Sequence, residues 1–198
     1  MGDAGPARES VEKVIVLSAE YDFALWSSWA RVLRGWAVGR EGEPERGVAE
    51  LQRGDELMRT RGALFLRPFV SALLAEQLAV IGETGQGLEL LDDAIAAVQN
   101  DQYWSSAELH RLRGDLLLAE GVDAQRVAAA YCRAIGIARA QHAKLFELRA
   151  TTSLAQLWHG QGGHAEVHTA LTEIYEWFSE GLNLPELDYT AALLSRWS

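Results

Sequence analysis

The chain predicts an all-α fold, a helical repeat array of four helix-turn-helix units, and three observations carry that expectation. Gly42, Gly82, Gly121 and Gly162 recur at separations of 40, 39 and 41 residues. Side-chain size is kept at fixed offsets from these glycines. A small residue stands seven positions before each (Gly35, Ala75, Gly114, Ala155), and Gly47, Gly87, Val127 and Val167 follow each. Four positions further come the large apolar Leu51, Leu91, Tyr131 and Leu171, and three further Gly54, Ala94, Ala134 and Ile174. Between the glycines, apolar residues recur at intervals of three and four, the period of one helical stripe. Small residues mark where two helices approach closely and large ones where they interlock. A period near 40 residues lies in the range of helical solenoids, in which each unit packs on its neighbours and the stack shares one core.

Each element follows in order. Residues 1–9, with Gly, Asp and Pro, read as a flexible N-terminus, and 10–198 as a single helical repeat domain. Val11, Val14, Ile15, Val16 and Leu17 predict a first helix over 10–20. Asp22 is placed to cap a second helix running to about Arg40, with Trp26, Trp29, Leu33 and Trp36 on one stripe. Pro44 suits the first turn of the next helix, 44–61. Helices follow near 64–81, 85–99, 104–120, 123–141, 144–160 and 164–181, with Pro68 moving the start of the first of these toward Arg67. Asn183-Leu184-Pro185 breaks the last unit, and 186–197 forms a cap with Leu187, Ala191 and Leu194 inward and Glu186, Asp188, Ser195 and Arg196 outward.

The array has a second-order pattern. Repeats two and four carry Leu74 and Leu154 where repeats one and three carry Arg34 and Arg113, so a two-repeat unit is duplicated, opened by Trp26-Ser27-Ser28 and Trp104-Ser105-Ser106. The N-terminal edge lacks the polar face of a cap. Its apolar residues either meet a partner chain, most simply a second copy in a homodimer through the N-terminal helix, or are covered by an upstream repeat, or fold back onto the first repeat.

Composition narrows the partners. The 198 residues are 48% hydrophobic and 23% charged, enough for a sizeable core. Eighteen Lys and Arg against 28 Asp and Glu give a net charge of −10, which repels phosphate backbones and anionic lipid, so no nucleic acid and no membrane surface is expected. The N-terminus lacks the basic and apolar regions of a signal peptide, and the longest apolar stretch, 63–81, is broken by Arg67, Pro68 and Glu76. The single cysteine, Cys132, beside Tyr131 in an apolar stretch, predicts a buried inert thiol and fits a cytoplasmic protein.

No chemistry-bearing constellation stands out. His159, His164 and His168 surround the last turn at a spacing that can place two imidazoles on one metal, but no metalloprotease glutamate accompanies them, and no metal is expected. Gly82-Glu83-Thr84-Gly85-Gln86-Gly87 lacks the Lys-Ser/Thr ending of a phosphate loop and follows a helix, so it reads as an inter-helix turn and no cofactor is expected. No Ser-His-Asp or Cys-His spacing occurs, and no enzyme is predicted.

Several segments carry a family resemblance: Leu33-Arg34-Gly35-Trp36-Ala37, Arg67-Pro68-Phe69 with Leu73-Leu74-Ala75-Glu76, and Ala107-Glu108-Leu109-His110-Arg111-Leu112-Arg113-Gly114. Ala140-Gln141-His142-Ala143-Lys144, Glu147-Leu148-Arg149-Ala150 and Tyr175-Glu176-Trp177-Phe178 continue it. In these the chain resembles the tetratricopeptide-like C-terminal segment of bacterial class III adenylate cyclases and multidomain signalling ATPases. The resemblance implies a right-handed α-solenoid of about four tetratricopeptide-like hairpins with a C-terminal capping helix. The catalytic domains of such proteins precede the array, and neither a cyclase domain nor a phosphate loop precedes residue 10. What is implied is therefore a non-enzymatic protein-interaction scaffold. The alternative is a regulatory or sensory module detached from a cyclase or ATPase, binding a small molecule among its tryptophans.

In the tetratricopeptide arrangement the first helix of each pair lines the concave face. That geometry places Trp29, Val32, Trp36 and Arg40 there, then Phe69, Ala72 and Glu76, then Glu108, Arg111 and Asp115, then Arg149, Thr152, Gln156 and His159. Such a surface suits an extended peptide or a partner helix, with aromatic anchors and charged residues setting register. Against this, Trp29 and Trp36 also suit the core, and Arg111 and Arg149 either hold a partner's carboxylates or pair with Glu108 and Asp115.

Overall fold

A computed structural model describes residues 5–21, 23–98, 101, 103–160, 165–180 and 183–197, and all the regular structure among them is helical. Ten α-helices occur among the described residues: α1 (Gly5–Glu20), α2 (Ala24–Arg40), α3 (Pro44–Thr60), α4 (Arg67–Val80), α5 (Thr84–Ala97), α6 (Ser106–Ala119), α7 (Ala124–Ala140), α8 (Lys144–His159), α9 (Ala165–Glu176) and α10 (Pro185–Trp197). A single 3-10 turn, Leu64–Leu66, precedes α4. The all-α helical-repeat class that the sequence predicts is the fold observed.

The chain forms two compact units, Asp3–Ala97 and Val98–Ser198. The division falls between repeats two and three, where the duplicated two-repeat unit begins its second copy. In the first unit α2 packs on α3, α4 on α5, and α1 lies on α2. In the second α6 packs on α7, α8 on α7 and α9, and α10 covers α8 and α9.

The periodic glycines close the helix pairs. Gly42, Gly82 and Gly121 have φ of 100°, 84° and 71°, a left-handed backbone that other L-residues adopt only with strain. The next N–H then reaches back across the helix end: Glu43 to Val38 O, Glu83 to Leu78 O and Val122 to Leu117 O, at 3.3, 2.9 and 3.0 Å. Gly162 lies outside the described residues.

The predicted packing register is the core itself. Leu51, Leu91, Tyr131 and Leu171 are at most 1% exposed. A Cβ on Gly35 would stand 2.8 Å from the Leu51 nitrogen, and one on Gly114 2.4 Å from the Tyr131 ring, so those two crossings require glycine. One cluster gathers Val32, Leu51, Met58, Val70 and Leu78; another, in the second unit, gathers Leu148, Ala155, Leu171, Ile174 and Leu187. Each fully buried side chain of this size contributes about 1.5–3 kcal/mol.

Four details differ from expectation. The first helix starts at Gly5 rather than near residue 10, and Arg8 in its second turn bonds Glu41 at 2.5 Å, a tertiary tie that periodicity does not show. Helix α2 starts at Ala24, and Asp22, expected as its cap, lies outside the described residues. Helix α9 ends at Glu176, short of 181, because Phe178 and Leu184 turn in to pack on the core beneath it. Cys132 is exposed, not buried: one residue past the buried Tyr131, it is rotated about 100° away from the core.

Both ends carry the helices expected of them. Helix α10 buries Leu187 and Leu193, and its Thr190 hydroxyl lies 3.2 Å from that of Thr152 on α8. Helix α1 folds back onto α2, burying Val11 and Ser18, yet Val14, Val16 and Leu17 remain 39%, 65% and 53% exposed.

Candidate functional site

The first unit offers a face built by α2 and α4. Spacings of three and four put Trp26, Trp29, Leu33, Trp36 and Arg40 on one stripe of α2, and Phe69, Leu73, Glu76 and Val80 on one stripe of α4. The two stripes meet. The Trp29 and Phe69 rings are 6.0 Å apart, Trp36 Nε1 donates to Glu76 Oε2 at 3.3 Å, and the Arg40 guanidinium stands 3.6 Å from Glu76 Oε1 and 5.9 Å over the Trp36 ring. The cation thus sits against both a carboxylate and an aromatic face.

Trp29 and Trp36 are both core and surface. Each packs on the cluster of Val32, Leu51 and Leu74 and is half-buried. Trp26 and Val80 are 58% and 64% exposed. Val32 does not belong on this face: it is fully buried, its Cγ2 filling the space left by the missing Cβ of Gly54. Ala72 is buried as well.

In the second unit the corresponding stripes of α6 and α8 hold a closed ionic network. Arg111 forks onto Glu108 at 2.6 and 2.9 Å and reaches Asp115 Oδ2 at 2.5 Å. Arg149 bonds the same Glu108 at 2.9 Å, and Tyr131 on α7 donates to Asp115 Oδ1 at 2.8 Å. Burial alone would push the Glu108 carboxyl up, but the charges of Arg111 and Arg149 and the forked hydrogen bond outweigh it and hold it below the usual carboxylate range. Burial and the Asp115 charge push the Tyr131 phenol up, so it remains a donor.

Two cations and two anions balance here. Glu108 and Arg111 are buried, so the expectation that they present charges to a partner is corrected: a forked bond between neighbouring turns draws both below the surface. Thr152 is also buried, its hydroxyl held by Leu148 O and Thr190. What reaches solvent is Asp115, Arg149, Gln156 and His159.

Around these residues lies an open cleft of about 430 Å³ lined by Asp115, Leu118, Tyr131, Ser153, Gln156 and Gly160. Gln156 Nε2 donates to the Tyr189 hydroxyl at 2.5 Å, and the His159 ring stacks on Trp197 at 4.4 Å. His168 approaches the same indole at 6.4 Å, so both imidazoles flank a tryptophan; His164 lies outside the described residues. Among the described residues no three His, Cys, Asp or Glu side chains are grouped to hold a metal ion.

Sequence reasoning missed the contribution of α10. Tyr189, Thr190 and Trp197 all touch the predicted face of α8, and only the four-residue spacing of Tyr189 and Leu193 hinted at a second apolar side of α10. The Tyr131–Asp115 bond had a readable signal, since Tyr131 occupies the interlocking position opposite Gly114.

No family model matches the chain, and no curated protein is significantly similar to it. Solved structures are. One crystal structure of the TPR-like repeats of a kinesin light chain from Podosopora anserina, a point variant, superposes with a TM-score of 0.60 at 16% identity, covering 86% of this chain and 84% of that one. Another structure of the same repeats gives 0.58 at 15% identity, covering 98% and 89%. The likeness shows the fold: TPR-like helical repeats of the α-solenoid class. No helix among the described residues is long and apolar enough to cross a membrane.

Proposed function

We propose that the chain is a non-enzymatic interaction scaffold that binds a partner segment, extended or helical, on the α2 and α4 face. One observation carries this reading: Trp26, Trp29, Leu33, Trp36, Phe69 and Val80 line a single face on which Trp26 and Val80 are exposed and the rest half-buried, ending in the Arg40–Glu76 pair. Rigid aromatic anchors beside a charged pair match the composition of protein-binding hot spots, which rely on Trp, Tyr and Arg. In the second unit, taken by itself, Asp115, Arg149, Gln156 and His159 form a separate polar face on α6 and α8 open to contacts of its own. The setting that fits, by the resemblance of its helix segments, is a bacterial signalling protein in the cytoplasm. Self-association through α1 belongs to the same reading, because Val14, Val16 and Leu17 lie exposed on that helix.

Quantitative pull-down from source lysate tests the scaffold. The wild type is compared with Trp26→Ala/Arg40→Glu, two changes outside the buried core. The expected result is a protein retained by the wild type and depleted at least about tenfold by the double variant, with circular dichroism confirming that the helices persist, since truncating one anchor costs about 1.4 kcal/mol or more. Equal retention by both would reject the α2 and α4 face.

A further inference from the structure

The exposed apolar surface is concentrated. Val14, Val16, Leu17, Tyr21, Phe23, Leu25 and Trp26 are 39% to 65% exposed within thirteen consecutive residues. A run of this size on a water-facing surface ordinarily marks a contact. Helix α1 turns Val11 and Ser18 toward α2, half-buries Ile15, and presents two rows on its other side. One row is Glu9, Lys13, Val16 and Glu20; the other is Ser10, Val14, Leu17 and Tyr21. The Tyr21 and Phe23 rings stack at 6.1 Å beyond the end of the second row.

The charges in these rows specify an occupant. Lys13 and Glu20 lie equally far, 3.5 positions, from the midpoint of Val16 and Leu17. That is about 5 Å along the helix at 1.5 Å per residue. We infer that α1 pairs antiparallel with α1 of a second copy about a two-fold axis at Val16 and Leu17, an inference that rests on the self-association assigned to this helix above. The axis sets Val16 of one copy against Leu17 of the other, and Lys13 against Glu20, twice over. Such isologous pairing is the ordinary geometry of a two-fold dimer.

Competing registers are worse. Parallel pairing opposes Lys13 to Lys13 and Glu20 to Glu20. Sliding the antiparallel pair by one turn opposes Glu9 to Glu20 in one direction and leaves Lys13 against Ala24 in the other. Within one copy Lys13 bonds Glu9 at 2.7 Å, but both are more than two-thirds exposed, so that pair holds Lys13 only weakly. Glu12 faces inward toward Arg34 at 3.8 Å and does not enter the stripe.

Light scattering coupled to size exclusion, on the full chain at micromolar concentration, tests the pairing. The wild type is expected to be a dimer. Lys13→Glu and Glu20→Lys should each weaken dimerisation about tenfold or more, because each creates two like-charge contacts, and the Lys13→Glu/Glu20→Lys exchange should restore it. Circular dichroism confirms that α1 stays helical in each variant. A wild-type dimer whose single variants dimerise unchanged, or whose exchange variant is not rescued, overturns this register and leaves self-association standing on another surface. A strict monomer overturns both.

Discussion

Single residues decide which crossings close. A Cβ at Gly114 would sit 2.4 Å from a ring carbon of Tyr131, itself held by Asp115, so Gly114→Ala is expected to cost about 1–3 kcal/mol in urea unfolding. His142 holds φ of 55° at the α7–α8 turn, the place Gly62 takes at the α3–α4 turn. His142→Gly removes left-handed strain and should raise stability by about 0.5–1 kcal/mol after the entropy of the added glycine is counted, which chemical denaturation reads. Glu108 binds its proton less readily in the fold than its ordinary value of 4.5. The stability it contributes is therefore complete above that value and lost as pH falls through the lower folded one. The melting temperature of the wild type should drop below about pH 4.5 more steeply than that of Glu108→Gln. Leu51, Leu91, Tyr131 and Leu171 were legible because a repeat prints the same size at the same offset. For Arg111 the sequence offered two fates, a partner's carboxylates or pairing with Glu108 and Asp115; the second is observed, and its burial was not legible because no stripe pattern distinguishes a solvated arginine from one closed in a network. Val32 and Cys132 were misplaced for a simpler reason: one residue of helical phase separates core from surface.

At the scale of elements, boundaries set by glycine turns were readable to within a residue or two, as at Gly42, Gly82 and Gly121. Boundaries set by tertiary contact were not: Arg8 bound to Glu41 extends α1, and Phe178 folding inward shortens α9. Helix α10 was legible as a cap but not as part of a face, because Tyr189 and Trp197 gain their meaning only from Gln156 and His159 on α8. Its attachment rests on a few side chains. Leu187→Ala, at a position 2% exposed, is expected to cost about 2–5 kcal/mol by thermal or urea unfolding, whereas Asp188→Ala on the exposed side should stay within about 0.5 kcal/mol.

For the molecule, the sequence period foretold the fold, whereas the single repeat domain expected over 10–198 divides into two compact units at the boundary between repeats two and three. What it left open was which part of the predicted face is available. The α6 and α8 stripes hold Arg111, Glu108 and Asp115 in an internal network, while Trp26 on α2 and Val80 on α4 are exposed, so the proposed partner contact is placed on the first unit. Hydrogen exchange of the complex with the captured partner tests that assignment most directly. The result expected is protection concentrated in peptides covering 26–40 and 67–80, absent for Trp26→Ala/Arg40→Glu; protection confined to α3, α5 or the second unit, with 26–40 and 67–80 unchanged, would contradict it.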